Sequence, residues 1–362
     1  MDVLAGAGDL VVLRANALGD YLLALPALQS LREAYPQAWI VLVGAPWHAR
    51  TLSGRPAPVD EVLVLPSVPG LAGLAPDAPP VEQLPGFLDQ VRRRRFDLAV
   101  QLHGGGSASN PLVRRFGAGL TVGLRAADAP PLDRCVPYCF YQPEVSRALE
   151  VVALVGGRVP QDPVFFAVTA ADRAQAEPQL PAGNAPLVAL HPGATDERRR
   201  WPAQRFAALG DALAEGGATV LVTGTEPEAV LVSTVVEGMR APAVPLVGKL
   251  DVGGLAALYQ RCALVVSNDT GPRHLAEAVG TPTVGLFWCG NAINAGPATR
   301  GAHRVLLSWT LHCPVCGADC TRDLYPHRPG NGCPHRCSFL TDIPVTEAVT
   351  ESIELLESAG RW

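Results

Sequence analysis

Residues 10–43 read LVVLRANALGDYLLALPALQSLREAYPQAWIVLV. Residues 10–13 are an unbroken apolar run, and Arg14-Ala15-Asn16-Ala17-Leu18-Gly19-Asp20 follows as a glycine-bearing turn. Leu22, Leu25, Leu28 and Leu31 then recur at three-residue spacing before a second apolar run at 39–43. Strands covered on both faces are continuous hydrophobic runs, whereas leucines every third or fourth residue make one apolar face of a helix. The stretch therefore predicts strand, turn, helix and strand. Such a βαβ unit commits the chain to a parallel sheet.

Outward from this unit, short apolar runs at 61–65, 98–102 and 120–124 add strands to the same sheet. The Pro-, Gly- and Ala-rich stretch 66–85 reads as a long loop. Between 159 and 186 the chain turns proline-rich and polar, apart from the short apolar piece 164–168, and the domain boundary is placed there. The pattern then restarts, with strands at 187–190, 219–222, 245–247, 264–267 and 283–287. One helix is predicted over 202–214, with Pro202 in its first turn. Another follows Thr270-Gly271-Pro272 and runs to Val279, where Gly280 stops it. A last helix covers 345–356. The expected fold class is α/β, with two Rossmann-like domains at 1–165 and 186–345 facing each other across a cleft and a C-terminal helix at 346–362. Ligands of such sheets bind beyond the carboxyl ends of the strands.

Composition agrees with this organisation. A chain of 362 residues suits two domains of ordinary size. Its 48% hydrophobic content supplies the cores, and its 17% charged fraction is too low for a disordered protein. A formal net charge of −5 argues against a nucleic-acid binder, which usually carries a basic surface. No basic flank precedes an apolar run at the start, so no secretory signal is expected. No stretch reaches the roughly 18 unbroken apolar residues needed to span a bilayer. The expected location is the cytosol, at most resting on a membrane surface. Clustered thiols there point to metal or redox chemistry more than to disulfides.

Four turns carry candidate chemistry. Asn268-Asp269-Thr270-Gly271-Pro272-Arg273-His274 follows a buried strand and opens a helix, whose N-terminal N–H groups and partial positive charge suit a diphosphate. An ordinary capped helix, with Asp269 or Thr270 as N-cap, is the alternative. His191-Pro192-Gly193-Ala194-Thr195 leads into Arg198-Arg199-Arg200, where forked, always-charged donors can clamp phosphate unless the run is simply a solvated face. Asp20, at the matching turn of the N-terminal half, is placed to take a proton from an acceptor hydroxyl, or else caps its helix. His103-Gly104-Gly105-Gly106 follows a strand and suggests an acceptor or sugar contact, or a flexible loop.

In their order and spacing these fragments resemble the heptosyltransferases of glycosyltransferase family nine, which have the GT-B architecture. The resemblance rests on Arg14 with Ala17-Leu18-Gly19-Asp20, on His191-Pro192-Gly193-Ala194 before Arg199-Arg200-Trp201-Pro202, and most strongly on Asn268-Asp269-Thr270-Gly271-Pro272 with His274-Leu275-Ala276. It implies an inverting transfer from a nucleotide-activated sugar, typically ADP-heptose, onto a lipopolysaccharide-core or other lipid-linked or oligosaccharide acceptor. In that light domain 1–165 binds the acceptor and 186–345 the nucleotide sugar. Asp20 stands for the catalytic base, and Arg14 and His103 for acceptor contacts. Thr195, Arg199, Asp269, Thr270, Gly271 and His274 carry the diphosphate, and Glu226 meets the ribose. The implied mechanism needs no catalytic metal, and contact with the inner membrane face is the expected periphery. A nucleotide-sugar epimerase-like enzyme and a non-catalytic sugar-nucleotide binder are the alternatives.

Cys313, Cys316, Cys320, Cys333 and Cys337 crowd one segment with His312, His327 and His335. A Cys-x-x-Cys followed by a second pair is zinc-like, but five thiols exceed the four ligands of a structural zinc. Free or paired thiols lead this reading, with structural zinc as the alternative. Nothing calls for iron–sulfur redox chemistry.

Overall fold

The computed structural model describes residues 4, 6–162, 165–323, 333–358 and 360. The chain divides into two compact units, Met1–Ala167 and Val168–Trp362.

Unit 1 runs β1 (Asp9–Leu13), α1 (Leu18–Ala34), β2 (Trp39–Gly44), α2 (Pro46–Leu52), β3 (Glu61–Val64), α3 (Leu84–Arg93), β4 (Leu98–Gln101), α4 (Ser109–Arg114), β5 (Leu120–Arg125), β6 (Arg134–Pro137) and α5 (Glu144–Ala153). Its six strands lie in the order β3-β2-β1-β4-β5-β6, all parallel. Both faces are covered, which is why β1 and β2 are apolar at nearly every position. On one face α1 packs against α5. On the other, α3 buries Leu84, Phe87, Leu88 and Val91 against Val11, Val41 and Ala99. That spacing is one stripe of a helix. The basic run 92–95 is exposed except for half-buried Arg94, which bonds Glu61 at 2.7 Å.

Unit 2 begins with α6 (Ala170–Ala176) and continues with β7 (Leu187–His191), α7 (Ala203–Glu215), β8 (Thr219–Gly224), α8 (Ala229–Gly238), β9 (Ala243–Val247), α9 (Val252–Arg261), β10 (Leu264–Asn268) and α10 (Gly271–Ala278). It closes with β11 (Thr283–Trp288), α11 (Cys289–Ala295), β12 (His303–Ser308), α12 (Cys320–Asp323) and α13 (Val345–Ser358). The sheet order β12-β11-β10-β7-β8-β9 repeats that of unit 1, again all parallel. In each sheet the order reverses between the first and fourth strands, β1/β4 and β7/β10. The carboxyl ends there diverge and leave room for a ligand.

The structure departs from the sequence-based expectation at the sheet edges. β6 and β12 were not expected, because Arg134 in β6 and His303 and Arg304 in β12 break the apolar runs that mark a strand. Pro202 is the N-cap of α7 with φ −54° and ψ 135°, and does not lie in its first turn. Among the described residues no helix is long and apolar enough to cross a membrane.

Candidate functional site

In unit 2 the switch point is built by two turns and one asparagine. Asn268, fully buried at the end of β10, accepts from the Trp201 backbone N–H at 3.0 Å. Its amide donates to the carbonyl of Pro192 at 2.7 Å. One side chain thus stitches the turn after β7 to the turn after β10. In the sequence Asn268 has no evident role of its own, because the bonds that define it reach back along the chain to the other turn.

Asp269 sits next to this stitch and is 3% exposed. Its carboxylate receives Asn291 Nδ2 at 2.7 Å, His274 Nε2 at 3.4 Å and Arg199 Nη1 at 3.4 Å. Burial alone would raise its pKa, but the His274 hydrogen bond, with Arg199 and Arg273, holds the carboxyl down to about 2. His274 is pushed below its usual range by burial and then by the charge of Arg273. Arg273 Nη2 donates to Nδ1 of this ring at 2.8 Å. A guanidinium can only donate, so Nδ1 accepts and the ring proton lies on Nε2, toward Asp269. The arrangement is an ionised carboxylate steadied by a neutral imidazole and a half-buried guanidinium.

Thr270 is the N-cap of α10, yet its side chain makes no capping bond. Capping therefore does not account for this turn. Pro272, in the first turn, has no N–H to leave unpaired, so the free donors of this terminus belong to its neighbours. Arg273 is fully buried beneath the helix, over the Phe287 ring at 4.7 Å and bonded to Glu277 at 3.1 Å and the Ala295 carbonyl at 2.8 Å.

The three arginines after β7 separate by role. Arg198 forks onto Asp196 at 2.7–3.1 Å and covers the Phe339 ring at 5.7 Å. Arg200 bonds the Ala194 carbonyl at 2.8 Å. Only Arg199 turns to Asp269, so the expected three-arginine clamp is a single arginine among two structural ones. Thr195 is exposed on this turn. Glu226 opens the segment after β8 and lies against Gly248, where an added Cβ would stand 2.1 Å from its Oε1. Glu228, not singled out from sequence, packs over Gly193, where a Cβ would meet its Oε1 at 2.0 Å. Glu228 thus packs closely over Gly193, and a side chain there would displace its carboxylate.

In unit 1, Arg14 leaves the end of β1 and is 2% exposed. Its guanidinium bonds Asp20 at 3.2 Å, Glu144 at 3.0 Å and the Leu102 carbonyl. Asp20 lies in the first turn of α1, whose N-cap is Ala17, and its side chain is 41% exposed. A buried cation therefore holds an accessible carboxylate. Glu144 was missed, since a lone glutamate at a helix start carries no signal. Burial would raise its pKa, but Arg14 and Arg147 together lower it.

Arg14 and His103, expected as acceptor contacts, each have protein partners here. Arg14 is spent on protein partners. His103 Nδ1 accepts from the Ala15 N–H at 3.2 Å and its Nε2 meets the Ala72 carbonyl at 2.8 Å. Burial drives its pKa down to about 4, and the neutral ring ties three loops. Gly104 and Gly106 adopt φ +64° and +100°, so the triglycine serves a tight left-handed turn.

The cysteine segment holds a candidate metal site. One ligand atom each from Cys313, Cys316, Cys333 and His335 lies within 4.8 Å of all the others. Cys320 is buried in the core of unit 2, and His327 lies outside the described residues. The nine cysteines are free of disulfides.

Two doubly wound α/β units with ligand-ready switch points define a protein of the GT-B class of glycosyltransferases. Residues 87–321 match the model of glycosyltransferase family 9 (heptosyltransferase), and the chain belongs to that family; it is a glycosyltransferase. It is 22% identical over 303 residues to lipooligosaccharide heptosyltransferase 2 of Haemophilus ducreyi, covering 75% of this chain and 80% of that protein. Among solved structures, a family 9 glycosyl transferase from Veillonella parvula superposes with TM-score 0.77 at 22% identity, covering 97% of both chains. The E. coli ADP-heptose LPS heptosyltransferase II superposes with TM-score 0.72 at 19% identity, covering 97% of this chain and 99% of that one.

Proposed function

We propose that the chain transfers heptose from ADP-heptose, with inversion, to a lipopolysaccharide-core or other surface-glycan acceptor at the cytoplasmic face of a membrane. The observation that carries this reading is the buried Asp269 group at the switch point of unit 2, with Arg199 and His274 on its carboxylate and the N-terminus of α10 beside it. The names of the relatives support the sugar and the nucleotide.

In this reading Thr195, Arg199, Thr270, Gly271 and His274 hold the diphosphate, Asp269 orders them, and Glu226 meets the ribose. Asp20 of unit 1 removes the acceptor hydroxyl proton as the oxygen attacks the anomeric carbon. The bond from that carbon to the diphosphate breaks, and ADP leaves with the electron pair. Negative charge then grows on the diphosphate, where a helix N-terminus and a guanidinium stabilise it, so the proposed transfer uses no catalytic metal. Arg14 and Glu144 act on Asp20 by fixing its position.

A thermal-shift screen of ADP-, UDP- and GDP-sugars tests the donor. Ligand at 100 times its Kd should stabilise the protein by about 2.7 kcal/mol. Stabilisation by UDP or GDP compounds alone would overturn ADP-heptose. With the donor fixed, Asp20→Asn should lower turnover by ~10²–10⁴ while ADP binding is kept. Undiminished transfer would overturn the base assignment, and wild-type protein that binds donor without transferring it would favour a non-catalytic binder.

A further inference from the structure

Four soft ligands converge in unit 2 on a point that the transfer chemistry does not use. The sulfurs of Cys316 and Cys333 are 3.5 Å apart, and Cys333 Sγ is 3.5 Å from His335 Nδ1. A disulfide needs about 2.05 Å between sulfurs, so the pair is not one. A tetrahedral zinc with Zn–S ≈ 2.3 Å and Zn–N ≈ 2.0 Å sets sulfurs about 3.8 Å apart and sulfur from nitrogen about 3.5 Å. The observed separations are those of the edges of such a tetrahedron. The backbone N–H groups of Val315 and Cys316 donate to Cys313 Sγ. Cys320 and Cys337 stand outside the four-atom group. Cys320 donates to the Ala318 carbonyl at 3.6 Å inside the core, and Cys337 packs on that core and hydrogen-bonds Cys313 from outside the four. The surplus of thiols in the sequence is thus resolved by position.

The chain just beyond these ligands reaches the donor side of unit 2. Directly after Cys337, Ser338 Oγ donates to the Arg200 carbonyl at 2.5 Å and the Phe339 N–H donates to the Arg198 carbonyl at 2.7 Å. Ser308 Oγ bonds the Phe339 carbonyl, and the Trp288 and Phe339 ring centroids are 6.4 Å apart. The backbone on either side of Arg199 is therefore held by the segment that the ligands anchor.

We propose that Cys313, Cys316, Cys333 and His335 bind one structural zinc ion, and that this ion, by fixing the ligands just before Ser338 and Phe339, props the turn that presents Arg199. Three thiolates and an imidazole in a closed four-ligand set match a structural site, with no position left open for catalysis. Only the second half, the effect on Arg199, rests on the proposed donor site.

The test uses the full-length protein purified without chelator. Elemental analysis should find about one zinc per chain, and cobalt substitution should give the d–d bands of a tetrahedral site with thiolate-to-cobalt charge transfer. Cys316→Ser and Cys333→Ser should lose the metal, whereas Cys320→Ser and Cys337→Ser should keep it. The cobalt spectrum of His335→Ala distinguishes a lost ligand from a lost fold, because a changed d–d envelope with retained charge transfer requires folded thiolate ligands. Stripping the zinc should weaken ADP binding several-fold, and adding zinc back should restore it. Wild-type protein without metal, or metal lost in Cys337→Ser and kept in His335→Ala, would overturn the site. Unchanged ADP affinity after stripping would overturn the link to Arg199. A failure of the donor reading would show separately, as wild-type holoprotein that does not bind ADP.

Discussion

Replacing Asn268 by alanine asks whether the two turns at the switch point of unit 2 are held as one piece. The side chain is fully buried, accepts from the Trp201 N–H at 3.0 Å and donates to the Pro192 carbonyl at 2.7 Å. Alanine leaves that N–H and that carbonyl without their partner. Each such group costs about 1–3 kcal/mol, and the lost volume adds a cavity, so N268A should destabilise unit 2 by about 4 kcal/mol. Asn268→Asp separates hydrogen bonding from shape. It keeps the acceptor for Trp201 but sets a second acceptor against the Pro192 carbonyl, and only a protonated acid can donate there. Its folded pKa should then lie above the unfolded value of about 3.9. A raised folded pKa means the stabilisation is full below the unfolded pKa and is lost as pH rises through the folded one. N268D should therefore lie nearest to wild type near pH 4 and farthest at pH 7. Urea unfolding, read by hydrogen exchange at amides of β7 and β10, reports unit 2 separately. An N268A effect below about 0.5 kcal/mol, or an N268D curve parallel to wild type across pH, would refute the reasoning.

Three further outcomes are expected. Arg199→Ala should lower kcat/KM for the donor about 10- to 100-fold with little change in unfolding, whereas Arg198→Ala should destabilise by about 1 kcal/mol through its lost bonds to Asp196; steady-state kinetics beside urea melts separates them. Arg14→Met should cost about 2–3 kcal/mol by leaving the half-buried Glu144 carboxylate with one partner fewer, and adding Glu144→Gln should recover part of it; additive double-mutant costs would count against the pair. His103, held down to about 4 in the fold against about 6.5 when unfolded, takes up its proton first in the unfolded chain as pH falls. Unit 1 should thus lose about 3 kcal/mol between pH 6.5 and 4, with no further loss from this group below; His103→Gln should flatten that window, and an NMR titration of His103 near pH 6.5 would contradict it.

The central strands were legible because a strand buried on both faces must be apolar throughout, as in residues 10–13 and 264–267. β6 and β12 were not, since arginine and histidine interrupt their short apolar pieces. The positions of Asp269, His274, Arg199 and Asp20 were legible for a related reason. Each sits at a strand-to-helix turn, and the order of the sheet brings such turns to the carboxyl ends of its strands. What each side chain does there was less visible. Arg14 and His103 stand out in the sequence only as residues at strand ends, and their burial and protein partners come from the fold.

Local pattern determined the two α/β units, the turns that bear chemistry and the family, because periodicity and turn residues act over a few positions. Tertiary structure alone decided that Arg199 faces Asp269 while Arg198 and Arg200 do not, that Glu144 returns to Arg14, that Asn268 joins two turns, and which three of five clustered thiols share a point with His335. Those choices depend on hydrogen bonds and charges that meet only when distant segments are packed together, and no spacing along the chain encodes them.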